Sequence, residues 1–266
     1  MLRDRLLGSI FTKTIRDWLL WTVVAIVALI SIGAFYVAAM NVSGEGYVAI
    51  LESMPEPIAQ IYGTQDGTNA GMAMAGMYSL MGPIVLLAYA IGLGSSAAVG
   101  EEEARTLPML LSSPLRRRSI LVAKAAVAAI GIVVITVAMW LGMVVSAALV
   151  GLDISGYDAF AASVQLIGMV ALFGALSLGI SAWRGSSALG ISVAAGLAVL
   201  SYFVTTMVPV VEDLAELARL TPWWLYTGAE ALYEGLDPIL LVIAVAIAAA
   251  LFGLGAYTLD RRDLKG

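Results

Sequence analysis

The chain has 266 residues, of which 61% are hydrophobic and only 12% charged, and a mean hydropathy of +0.96. That balance leaves almost no sequence for a soluble domain. With no cysteine and no histidine, it offers no disulfide, no Cys/His zinc site and no thiol or imidazole nucleophile.

The first 17 residues read as an amphipathic helix. Leu2, Leu6, Leu7, Ile10, Phe11, Ile15 and Trp18 share one face, with Arg3, Asp4, Lys13, Arg16 and Asp17 on the other. This pattern predicts an interfacial helix over 1–17 that turns into the first span at Trp18 and Trp21. The apolar run that follows is too long for a signal peptide, so the segment is expected to be retained.

Six uncharged windows follow: 18–44, 67–100, 125–152, 159–183, 185–211 and 238–259. Each exceeds the roughly 20 residues that a helix needs to cross about 30 Å of hydrocarbon. They predict an all-α integral membrane protein, a single transmembrane domain over 1–266, with spans at about 18–41, 75–100, 120–150, 159–183, 187–210 and 237–259. Lys and Arg mark the cytoplasmic side. Thirteen of the fourteen basic residues fall at the chain ends, between spans two and three and between spans four and five, and only Arg219 falls on the opposite side with twelve carboxylates. Both termini are therefore expected in the cytoplasm of a multi-pass plasma-membrane protein. The acidic outer face is read as an adaptation to a salty or acidic habitat rather than as a cation-gathering surface.

Two outer segments are more than plain linkers. Residues 45–66 contain MPEP and IAQIY, too apolar for a linker and too broken by Pro55 and Pro57 for a span. Residues 211–235 carry Leu214, Leu217 and Leu220 at helical spacing, then Pro222, Trp223, Trp224 and Tyr226, and are expected as a re-entrant or interfacial segment. Such segments serve either as a lid or simply to return the chain.

Within the spans, ionisable groups are missing at depth, which argues against proton coupling. No Gly-Lys dipeptide occurs, so the chain has no phosphate loop and is expected not to hydrolyse ATP itself. Small residues recur at packing intervals: Ala88, Gly92, Ser96 and Gly100 on the second span, and Ser177, Ser181 and Gly185 on the fourth. Pro83 is expected to kink the second span near its outer end. Met72, Met74, Met77 and Met81 cluster there too; thioethers suit Cu(I), but core packing is the preferred reading.

The densest charge is EEEARTLPMLLSSPLRRRSILVAK at 101–124, with residues 101–119 read as a cytoplasmic loop. A positive-inside loop needs no carboxylates, and three Glu at a helix C-terminus oppose its dipole at a few tenths of a kcal/mol each. Glu101, Glu102 and Glu103 are therefore read as one side of a docking surface. The same string resembles the cytoplasmic signature of ABC type-2 exporter membrane subunits, a Glu-rich helix end running into E-x-G-T-L-x-L-L-L-[ST]-x-P-[VL]-x-R and then a Lys. SMPEPIAQIYG, SLMGPIVLLAYAIGLGS and the terminal DRRDLKG resemble stretches of the same family. The departures are Ala104-Arg105, where an acidic or variable residue and then Gly are usual, and Pro108, where an acidic residue is usual.

The resemblance implies a half-transporter: two six-helix permease subunits, as a homo- or heterodimer, and a separate cytoplasmic ATPase holding ATP and Mg, with no cofactor in this chain. It assigns Glu101, Glu102, Glu103, Arg105, Thr106, Leu107 and Arg116 to ATPase coupling, leaving Gly92, Ser96 and Gly100 to helix packing. Membrane lipid is the other expected partner, and no nucleic acid is. An apolar pathway with scattered Ser, Thr and Tyr favours a lipophilic or amphipathic substrate, whether drug, antibiotic or lipid. The alternatives are a copper-type or maturation-factor permease and a non-transport signalling module. A prenyl-protein protease, with its E-E-x-x-x-R motif, fails because Arg105 arrives one residue early and the needed histidines are absent.

Overall fold

The computed structural model describes residues 2–52, 68–103, 117–207 and 215–261, with side chains in the first helix described from Ile10 onward, apart from most of those beyond Ser43. Its elements are α1 (Leu2–Glu52), α2 (Asn69–Gly76), a π-helical turn (Met77–Met81), α3 (Gly82–Glu103), α4 (Arg117–Val150), α5 (Gly156–Arg184), α6 (Ser187–Met207), α7 (Ala215–Ala218), α8 (Trp224–Thr227) and α9 (Pro238–Arg261). Six stretches among the described residues are long and apolar enough to cross a membrane: Ile10–Ser43, Asn69–Glu103, Arg118–Val150, Gly156–Arg184, Ser187–Met207 and Pro238–Arg261. We call the end carrying Arg16, Lys124, Arg184 and Arg261 the basic end, and the end carrying Asp153, Asp158, Glu230 and Asp237 the acidic end.

Two expected boundaries move. The amphipathic segment does not turn at Trp18, because α1 is a single helix through Glu52. The physical reason lies in the sequence: no proline occurs before Pro55, and no glycine lies between Gly8 and Gly33 to weaken the junction. Residues 45–52 of the first outer segment therefore continue the helix beyond the first span, while 53–67 lie outside the described residues. The face that α1 turns to the bundle is also narrower than the apolar stripe suggests. Thr14 and Trp18 are buried, whereas Ile15 is exposed.

The second span begins earlier than expected and contains a π-turn just before Pro83. Proline has no N–H, and its ring crowds the preceding turn. Here the helix widens by one residue, so that the Gly82 N–H reaches Met77 O. In that register the next donor, the one facing Tyr78 O, would belong to Pro83, which has none. The hydroxyl of Tyr226 fills the gap at 2.8 Å. Burial pushes the Tyr226 phenol well above its ordinary pKa, keeping it a neutral donor. The expected kink is thus a π-turn with a side chain closing it.

Around this point the 215–235 segment packs into the acidic end rather than resting on it. Trp223 and Tyr226 are buried. Gln165 Nε2 of α5 donates to Leu225 O at 2.9 Å, and the Tyr78 hydroxyl pairs with Ser163 Oγ at 2.9 Å. Residues 211–214 lie outside the described residues.

The central helix is α5, which packs along α3 and α9 and also meets α4 and α6; α1 lies mainly against α4. Its contacts depend on small residues, as expected where helix association in lipid rests on close van der Waals approach. A Cβ at Gly94 would collide with the carbonyl of Gly174, and one at Gly255 would lie 3.0 Å from Gly179 Cα. Gly190 of α6 presses on Ser177 and Ser181. Ser177 also donates across to Ile91 O at 2.8 Å. Gly185, in the left-handed conformation (φ 67°), ends α5.

Candidate functional site

At the basic end the last turn of α3 brings the glutamates against three other helices. Glu101 Oε1 lies 3.2 Å from Lys13 Nζ of α1 and 3.3 Å from Lys124 Nζ of α4. The two links differ in weight. Lys13 is 55% exposed, so its pair resembles a surface ion pair worth about 0–1 kcal/mol. Lys124 is 9% exposed, on the inward stripe with Leu121 and Val127, and removing its carboxylate would strand a buried cation at a cost on the order of 3 kcal/mol.

Glu103 reaches the other way. Its carboxylate accepts from the Ser187 N–H at 2.8 Å and from Ser187 Oγ at 2.6 and 2.8 Å, at the first residue of α6. A charge that is unfavourable at the C-terminus of α3 is favourable at the N-terminus of α6, where orphan N–H groups and the positive dipole end lie. Glu102 is half-buried between them. The three glutamates, read from the sequence as one side of a docking surface, also make contacts within the chain. Glu101 and Glu103 are held by this chain's own helices. Arg105, Thr106, Leu107 and Arg116 lie outside the described residues, as does the rest of 104–116.

The packing residues divide in a similar way. Ser177 and Ser181 are buried in the α3–α5–α6 contact. Gly92, Ser96 and Gly100 sit half-exposed on the open side of α3, and a Cβ at Gly92 would meet nothing within 4 Å. The neighbouring face, through Ala90, Gly94 and Ala97, makes the close contacts. Met72, Met74 and Met77 are buried in the hydrophobic core, as packing residues are. Among the described residues no group of three or more His, Cys, Asp or Glu could hold a metal. At the acidic end a cleft of about 490 Å³ is lined by Thr68, Asn69, Asp153, Ser155, Asp158 and Tyr233, among others.

The sequence matches the family model of ABC-2 family transporter proteins over residues 10–264, nearly the whole chain. The chain belongs to the ABC-2 transporter family. No curated protein and no solved structure matches it. As an ABC-2 membrane chain it is a permease subunit of an ABC transporter, a class that works with a partner ATPase. In this permease Glu101 and Glu103 of the charged motif pair with other helices of the same chain. Lys13, Lys124 and Ser187 are the partners that sequence reasoning left out. Only Lys124 carried a readable signal, since it shares the helical spacing of the bundle-facing Leu121, Val127 and Gly131.

Proposed function

We propose that this permease is the membrane half of an ATP-driven exporter of the cytoplasmic membrane, with both termini in the cytoplasm. Its substrate is lipophilic or amphipathic, a drug, antibiotic or lipid. A separate cytoplasmic ATPase binds ATP and Mg, a second permease subunit completes the pathway, and this chain carries out no catalysis. The observation that carries the reading is the family match over a six-span bundle that has no phosphate loop. The basic residues gathered at one end support the orientation. The interior of Ser, Thr, Tyr and aliphatic side chains, without a deep carboxylate or basic group, supports the substrate class. Docking of the ATPase falls to Glu102 with Arg105, Thr106, Leu107 and Arg116, with Glu101 and Glu103 bracing the helices behind them.

The test is co-expression of the chain with an ABC ATPase, followed by transport assays in inside-out vesicles. ATP-dependent accumulation of a fluorescent lipophilic cargo inside the vesicles is expected only when both subunits are present. Hydrolysis of ATP by the permease alone, free of partners by mass spectrometry, would overturn the reading. So would accumulation that needs no ATPase.

A further inference from the structure

We infer that Glu101 is the positioning residue that makes α1, α3 and α4 move as one body at the basic end, so that a push on any of them reaches all three. The inference rests on the proposed ATPase-driven function for its consequence, but not for its geometry.

One carboxylate oxygen serves two ammonium groups from two different helices. Lys13 comes from α1 and Lys124 from α4, at 3.2 and 3.3 Å, and Glu101 itself lies in the last turn of α3. A single tie of this kind would still allow the helices to pivot about it. The same three helices meet a second time deeper in the bundle. Tyr89 of α3 shares a hydrogen bond with Thr22 Oγ1 of α1 at 2.8 Å. Its hydroxyl also lies against α4 at Gly131, where a Cβ would collide with it. Along the three helices the two ties are separated by 7 to 12 residues, about 10–18 Å at the α-helical rise. Two ties at that spacing fix orientation as well as distance.

The chemistry of the two ties also differs in a useful way. The Tyr89 tie is neutral and sits among apolar side chains, whereas the Glu101 tie is ionic and sits where the chain leaves the membrane-spanning region for residues 104–116. Removing the charge at Glu101 therefore loosens the basic end and leaves the deeper tie in place. Lys13 is the mild arm of the ionic tie, being largely exposed, and Lys124 is the buried arm.

The experiment compares wild type, Glu101→Gln, Lys13→Ala and the full charge exchange Lys13→Glu/Glu101→Lys/Lys124→Glu, each as the full-length permease. The chain has no native cysteine, so spin labels at Arg16→Cys and Arg118→Cys report the α1–α4 distance at the basic end without interference. A narrow distribution is expected in wild type and in the full exchange, and a broadened one in Glu101→Gln. In complex with the ATPase, Glu101→Gln is expected to keep its partner and its ATP hydrolysis while substrate moved per ATP falls about fivefold, in the range of coupling effects that single positions carry. Lys13→Ala should move the same way by a smaller factor. The full exchange should recover the wild-type ratio.

An unchanged distance distribution in Glu101→Gln would overturn the inference whether or not the chain transports anything. Loss of ATPase co-purification in that variant would also overturn it, making Glu101 a docking group. Should Glu101→Gln fail to fold, Lys13→Ala and the full exchange decide: normal substrate per ATP in the first, or no recovery in the second, removes the positioning role. Absence of ATP-driven transport in wild type refutes the proposed function alone, since the distance measurement stands apart from it.

Discussion

Tyr226 donates its hydroxyl to the backbone carbonyl of Tyr78, 148 residues earlier in the chain, at 2.8 Å. Pro83 cannot supply the N–H that the π-turn would direct at this acceptor. A local defect in the second span thereby becomes the anchor for the segment between the fifth and sixth spans.

Tyr226→Phe keeps the ring and leaves a buried carbonyl unsatisfied, which is expected to cost about 1–2 kcal/mol. Pro83→Ala restores a backbone donor near Tyr78 O. In the Pro83→Ala background the Tyr226→Phe substitution should therefore cost less than half as much, a coupling that a double-mutant cycle of thermal unfolding in detergent measures. Equal costs in both backgrounds would mean that the hydroxyl does not replace the missing donor.

Gly94 and Gly92 are two residues apart and should respond oppositely. A side chain at Gly94 runs into the Gly174 backbone, and neither helix can yield by moving a rotamer. Gly94→Val is expected to destabilise the bundle by about 2–3 kcal/mol or to block its folding. Gly92→Ala meets open space and should be neutral or stabilising by up to about 1 kcal/mol in the isolated chain. Thermal melts of the two purified variants distinguish the outcomes.

Glu103→Gln should weaken the start of α6 while leaving its geometry. A neutral amide still accepts from the Ser187 N–H and hydroxyl but loses the charge that complements the helix N-terminus, about 0.5–1 kcal/mol. Glu103→Lys places a cation there and should cost more. Faster hydrogen exchange confined to the first turn of α6 is the expected signature, and unchanged exchange in the lysine variant would remove the capping role.

Orientation has its own test. Single cysteines at Ser43, Ser155 and Glu234 should react with an impermeant thiol reagent applied to intact cells, and one at Ser113 should not. Labelling of Ser113 from outside would reverse the assigned sidedness.

Much of this arrangement was legible in the sequence, for stated physical reasons. Uncharged windows longer than a bilayer fix the number of spans, and the observed limits agree within a few residues for the third, fourth and sixth. The fifth is described as far as Met207, and its expected limit at 210 lies outside the described residues. The α1 boundary was missed because amphipathicity reports which face is apolar and says nothing about where helical hydrogen bonding stops; breakers do that, and none was present near Trp18. The π-turn was half visible, since Pro83 announces a disturbance but the form it takes depends on Tyr226. The intrachain contacts of the glutamates are hidden from the sequence for a related reason. Local dipole arguments priced Glu103 as unfavourable to its own helix, and only tertiary structure reveals that it caps another.

The unbroken α1 has a mechanical consequence. At 51 residues it is about 75 Å long, more than twice the hydrocarbon thickness of a bilayer. A one-degree tilt about one end of such a rod carries the other end through about 1.3 Å. No proline lies inside it to act as a hinge, so a small tilt at the end carrying Lys13 is geared up with distance along the helix toward Glu52.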